Sequence, residues 1–202
     1  MGSLVPRDDT GFALATTNMI ISLTGIPGSG KTTIRNMLAE QLGLTRYSMG
    51  DVFGKLAVEH GMTIGAFNEF AKTKPEVDHQ VDAYQTTLAE KEDNFIIDSR
   101  MAWHFIPRSF KVFLSVDLTV AAQRIYNAKQ ANPESRKDEP DYANIDEVKT
   151  AIEKRLAADN ERYKTLYGVA YLDHENYDLV IDTTHTPPAE VAAQILAALP
   201  HA

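Results

Sequence analysis

The chain has 202 residues, 44% hydrophobic and 24% charged, which is the make-up of an ordinary globule of about one domain. Its 20 basic and 28 acidic side chains leave a net charge of −8, a poor match to duplex nucleic acid, so any phosphate it binds must be held by local structure. It has no cysteine, which excludes disulfides, thiolate nucleophiles and cysteine-based zinc sites, and no apolar run reaches the roughly 18 residues of a bilayer span.

Residues 1–18 are expected to stand apart from the fold. Leu4-Val5-Pro6-Arg7 behind Met1-Gly2-Ser3 has the look of a protease-cleavage scar on a flexible tail. Residues 19–202 are read as one domain. Residues 19–24 are a short apolar run ending in a glycine-rich turn, which predicts a buried strand. Ile34, Met37, Leu38 and Leu42 lie on one face of a predicted helix over 31–42, with Gly43 as its stop. A weak strand is expected at 45–48, then helices over 51–60 and 63–72. A further helix opens at Pro75 and runs to 92.

Residues 94–98 and 110–116 are predicted strands. A helix follows over 118–131, and 132–144, rich in charge and holding Pro133 and Pro140, reads as a mobile loop. A long polar helix is expected over 145–166, a last strand over 178–181 and a last helix over 187–199. Strands alternating with helices imply an α/β fold with a parallel sheet covered on both faces.

The strongest motif is Gly25-Ile26-Pro27-Gly28-Ser29-Gly30-Lys31-Thr32, which fits G-x-x-x-x-G-K-[ST] between a predicted strand and a predicted helix. Such a loop surrounds a polyphosphate with backbone N–H donors, which glycines can aim inward without Cβ clashes. The positive end of the following helix adds to the anion site. Lys31 can reach the β- and γ-phosphates, and the Thr32 hydroxyl can ligate Mg²⁺. The motif predicts a nucleoside triphosphate with Mg²⁺ as ligands. It does not say where the phosphate goes. A guanine-reading N-K-x-D segment is missing, since the nearest string, Asn127-Ala128-Lys129-Gln130, lacks the carboxylate. The length and the charged loop instead suit a small-molecule kinase, which must exclude water during transfer.

The candidate acceptor groups are more scattered. Asp78, Asp82 and Gln85 are spaced i, i+4 and i+7 on one helix face. Carboxylate plus amide would complement a cytosine edge, and a solvated helix face is the plainer alternative. Arg100 follows a predicted strand end, where α/β sheets bind ligands, and could grip a phosphate or form a surface ion pair. Asp98 closes the same strand, either orienting a Mg²⁺ shell or capping the strand. Asp51 could serve the acceptor or cap its helix. Trp103 reads as core, and the scattered histidines suggest no metal cluster. Residues 124–164 hold nine basic and nine acidic side chains, so the −8 lies wholly in the rest of the chain. Arg155 and Arg162 share a helix face, with Asp159 one turn after Arg155 as a possible partner.

Several segments together resemble the archaeal-type cytidylate kinases. They are residues 25–33, Ser48-Met49-Gly50-Asp51-Val52-Phe53, Phe67-Asn68-Glu69-Phe70-Ala71, Pro75-Glu76-Val77-Asp78, Ala121-Ala122-Gln123-Arg124-Ile125, Glu161-Arg162-Tyr163, Tyr167-Gly168 and Tyr177-Asp178-Leu179-Val180-Ile181-Asp182. The likeness spans about residues 19–199. It implies a three-layer P-loop kinase fold with a five-stranded parallel sheet, an acceptor-binding insert at about 50–93 and a lid at about 127–147. It implies transfer of the ATP γ-phosphate to CMP or dCMP with Mg²⁺, by a cytoplasmic monomer. The donor would be held by Gly25, Pro27, Gly28, Ser29, Gly30, Lys31, Thr32 and Thr33, and the metal by Thr32 and Asp98. Asp51, Lys55, Asp78, Asp82, Gln85 and Arg100 would bind the acceptor, while Arg124, Arg155 and Arg162 join Lys31 in transfer. Two departures stand out. Gly54 and then Lys55 occupy the place where such kinases often carry an arginine, and Ser99 precedes Arg100 where a glycine is usual. They leave another acceptor, such as AMP or UMP, or a regulator without turnover, as alternatives.

Overall fold

The computed structural model describes residues 18–62, 66–67, 70, 74–132 and 140–200, with Pro75 and Asp78 given by their backbone alone. The expected tail, most of the helix over 63–72 and the centre of the 132–144 loop lie outside the described residues. In chain order the elements are β1 (Ile20–Gly25), α1 (Lys31–Leu42), β2 (Thr45–Ser48), α2 (Met49–Glu59), α3 (Pro75–Lys91), β3 (Phe95–Asp98), α4 (Ala102–Phe105), β4 (Phe110–Ser115), α5 (Leu118–Ala131), α6 (Ile145–Tyr167), β5 (Leu179–Asp182) and α7 (Pro188–Ala198). A 3-10 turn at His174–Asn176 precedes β5.

The strands form one five-stranded sheet in the order β2-β3-β1-β4-β5, and all its pairings are parallel. Both faces are apolar because the central strands carry hydrophobic residues at successive positions. Ile21, Leu23, Ile96, Val112 and Leu114 pack with Ile34 and Leu38 of α1 and with Val191 and Ile195 of α7. Ile20, Phe95 and Ile97 point the other way, onto Met49, Leu88, Ala102 and Ile106. A third cluster, rich in aromatics, joins Trp103, Phe113, Tyr163, Tyr171 and Tyr177 beneath the end of α6. Trp103 is therefore core, with its indole N–H donated to the Arg100 carbonyl at 3.0 Å.

The chain leaves β1 towards β2 and leaves β3 across to β4, so the connections diverge at the carboxyl edge between two adjacent strands. Ligands of open α/β sheets bind at such a switch point. Leu23 pairs with Asp98, and Ser48 pairs with Asp98 from the other side. The register thus brings the phosphate loop, Asp98 and the start of α2 to one edge.

Two local readings are corrected. The residue that caps α2 is Ser48, whose hydroxyl accepts from the Asp51 N–H at 3.3 Å. Asp51 sits in the first turn instead, because the helix begins two residues earlier than its apolar spacing suggests. The short helix α4 is not legible in the sequence, since four residues carry no periodicity.

Gly25 and Gly30 are needed for different reasons. A Cβ on Gly25, at φ +155°, would lie 2.4 Å from the Leu114 carbonyl oxygen of the neighbouring strand. A Cβ on Gly30, at φ +90°, would meet nothing within 4 Å. Gly30→Ala therefore carries the left-handed backbone cost alone, about 1–2 kcal/mol. Gly25→Ala adds a backbone clash, for a total of about 3 kcal/mol or more. Urea unfolding of the two variants checks the order; equal losses would contradict it.

Candidate active site

The phosphate loop is built from its glycines outward. Gly28, at φ +84°, leaves room for the loop to lie against α5, where a Cβ would come within 2.8 Å of the Ala121 carbonyl. The Ile26 N–H donates to the Leu114 carbonyl and the Ser29 N–H to the Ile26 carbonyl, both at 3.1 Å. Lys31 reaches back over the loop, its ammonium donating to the carbonyls of Gly25 at 2.9 Å and Ile26 at 3.0 Å. Helix α1 begins at left-handed Gly30 with no side-chain cap, so its first N–H groups face the loop's concavity. Ser29 is buried, and its hydroxyl has no partner. Uncapped helix N–H groups, an orphaned hydroxyl and an adjacent ammonium form a donor set suited to a polyphosphate.

Thr32 and Thr33 are exposed in the first turn of α1, and Asp98 is half-buried at the end of β3. Among the described residues no group of three or more carboxylate or imidazole side chains is placed to hold a metal ion by itself. The Thr32 hydroxyl and the Asp98 carboxylate are hard oxygen donors, the kind Mg²⁺ takes alongside waters and phosphate oxygens.

Arg124 braces the back of the loop. Its guanidinium donates to the Thr183 carbonyl at 2.8 Å, the Thr184 carbonyl at 3.1 Å and the Gly28 carbonyl at 3.4 Å. It joins α5, the loop and the exit of β5.

On the acceptor side, Arg100 leaves β3 and sets its Nε 2.7 Å from an Asp159 carboxylate oxygen of α6. Arg162 lies 3.8 Å from the other oxygen. It also donates to the Tyr163 hydroxyl at 2.9 Å and covers that ring at 4.9 Å. Burial opposes the charge of Arg100, but Asp159 first, then Tyr163, Tyr171 and Asp98, more than offset it and hold the guanidinium firmly protonated. Burial pushes the Tyr163 and Tyr171 phenols up, so both stay neutral. Arg155, one turn before Asp159, is exposed and close enough to Tyr171 to oppose that rise. In the sequence, Asp159 stands only as a partner for Arg155, one turn away. Helical spacing shows its neighbours on α6 and cannot show Arg100, which arrives from the sheet.

At Gln85 the polar stripe of α3 turns inward. Gln85 is buried, whereas Tyr84 beside it is exposed. The Gln85 carbonyl accepts from Ser99 Oγ at 2.6 Å, and the same Ser99 oxygen accepts from the N–H groups of Met101 and Ala102 at 3.1 and 3.2 Å. The Gln85 amide donates to Asp82 at 3.5 Å, and Asp82 also accepts from the Tyr167 hydroxyl. A fully solvated face is thus not what the stripe forms. Ser99, the departure beside Arg100, is what draws Gln85 in. Asp51 and Lys55 are exposed on α2 near the same edge, and the Asp78 side chain lies outside the described residues.

Asp159 keeps two cations side by side, so Asp159→Ala leaves them facing each other. The loss should be about 1–2 kcal/mol, less than for a sealed pair because Arg100 is a third exposed. Added Arg100→Ala should recover part of it. Urea unfolding of both variants at low salt reads this, and strict additivity would contradict the bridge.

Residues 21–150 match the family model described as "AAA domain". A cytidylate kinase from Methanothermobacter thermautotrophicus is 34% identical over 165 residues, covering 82% of this chain and 95% of that protein. One from Methanocella arvoryzae is 34% identical over 181 residues, covering 90% and 97%. A shikimate kinase structure from Bacteroides thetaiotaomicron shares the fold with a TM-score of 0.59 at 20% identity, covering 88% of this chain and 96% of that one. A P-loop at the sheet's switch point, an arginine pair at its rim and near full-length likeness place this chain in the archaeal-type cytidylate kinase family of P-loop kinases.

Proposed function

We propose that the protein transfers the γ-phosphate of ATP to CMP or dCMP, yielding ADP and the cytidine diphosphate. The observation that carries this reading is the continuity of the acceptor side. Gln85 and Asp82, suited to a cytosine edge, connect through Ser99 to Arg100, suited to a phosphate. The cytidylate kinase relatives support the same acceptor.

Lys31, the loop N–H groups and the Ser29 hydroxyl hold the donor's phosphates, and Arg124 keeps the loop in place from behind. Thr32 and Asp98 would hold Mg²⁺, which neutralises charge between the β- and γ-phosphates when bound. Arg100 fixes the acceptor phosphate as a forked partner, with Lys55 and Asp51 at the rim. Arg162 and Arg155 belong to α6, whose amino end adjoins the expected lid at about 127–147. Their charge meets that developing on the transferred oxygens, and the lid keeps water from competing. An acceptor phosphate oxygen bonds to the γ-phosphorus as the bond to the β–γ bridging oxygen breaks, and ADP leaves. No covalent enzyme intermediate is needed, so catalysis is positioning plus positive charge.

The test is ADP release in the presence of CMP. Wild type should turn over, and Lys31→Ala should be at least about a hundredfold slower while remaining folded. A folded Lys31→Ala variant with wild-type turnover would remove this lysine from the mechanism, and absence of CMP-dependent turnover in wild type would overturn the reading.

A further inference from the structure

Tyr167 is the last residue of α6, just before Gly168, which ends the helix at φ 70°. Its ring is held by aromatic neighbours. Phe105 meets it edge-on at 5.3 Å, His104 lies at 5.9 Å and Tyr163 stacks at 6.3 Å. Packing therefore sets the ring's direction, and the hydroxyl at its end donates to Asp82 Oδ2, across 85 residues of chain.

The hydrogen bonds leading to Asp82 have one direction. The N–H groups of Met101 and Ala102 donate to Ser99 Oγ, so the Ser99 proton goes to the Gln85 carbonyl. That fixes which way the Gln85 amide faces and sends its NH₂ towards Asp82 Oδ1. Tyr167 donates to the other oxygen from the opposite element. The network thus ends on a carboxylate that accepts from both sides, and an ionised carboxylate accepts at about four positions. A donor on each oxygen, from two different elements, fixes its plane.

We propose that Tyr167 is a positioning residue for acceptor specificity: its hydroxyl, held by Phe105, His104 and Tyr163, sets the Asp82 carboxylate to accept from the amino group of a cytosine-type base. This rests on the base-reading role of Asp82 in the proposed function. It also ties the base end of the acceptor to α6, the helix that carries Asp159 and Arg162 beside Arg100. A base that offers an amino group would find the carboxylate preset. A base that offers a carbonyl at the same place would meet a fixed negative oxygen.

Tyr167→Phe keeps the ring and removes only the hydroxyl. The KM for CMP should rise about three- to tenfold, the scale of one net hydrogen bond. The KM for ATP and kcat at saturating CMP should stay within about twofold of wild type, so the CMP:UMP ratio of kcat/KM falls. Asp82→Asn is measured in parallel and should lower the same ratio. The double variant should be no worse than Asp82→Asn alone, since Tyr167 acts through that carboxylate. If Asp82→Asn lowers the ratio and Tyr167→Phe does not, even with a reduced unfolding midpoint, the hydroxyl is structural and the inference fails while the base reading stands. An unchanged ratio in both variants would remove the base reading and this inference together.

Discussion

Two polyanions must lie end to end on a body whose own charge is −8. The field of the whole molecule works against that meeting, so every part of the site depends on donors placed within hydrogen-bond reach. The parallel sheet supplies the place. Its carboxyl edge brings together a loop that follows β1, a carboxylate that ends β3 and the start of α2. The phosphate loop offers backbone N–H groups and one lysine. At the exit of β3, Asp159 lets Arg100 and Arg162 approach each other.

The order of the strands explains why the site is one site. β1 is central, flanked by β3 and β4, so the phosphate loop is supported from both sides. Gly25 lies too close to Leu114 for a side chain, and Arg124 and Ala121 close the loop's back through α5. The proposed acceptor groups hang from the neighbouring strand through Ser99. A shared sheet and loop serve many kinases, so the acceptor has to be argued from the groups around Ser99, Gln85 and Asp82 and not from the fold.

Much of this was legible in the sequence. The loop was readable because its glycines, lysine and threonine are contiguous, and α1, β2 and α5 fall where their apolar spacing or caps put them. What escaped depends on contacts between distant segments. The inward turn of Gln85 follows from Ser99, 14 residues away and on another element. Asp159 looks like an ordinary helix-surface carboxylate until Arg100 reaches it. Tyr167 matched the family pattern as a residue, but its target on α3 is 85 positions earlier. Arg124 read as one of several lid-side cations, and only the placement of β5 shows the carbonyls it holds.

The central claim is that the acceptor is a cytidine monophosphate, fixed at both its base and its phosphate. The measurement that tests it most directly is ADP release with ATP and, in turn, CMP, dCMP, UMP and AMP, read as kcat/KM. The account predicts that CMP or dCMP leads, with UMP behind by about tenfold or more, the discrimination expected of one well-placed base contact. AMP or UMP as the leading acceptor, or equal use of all four, would contradict it.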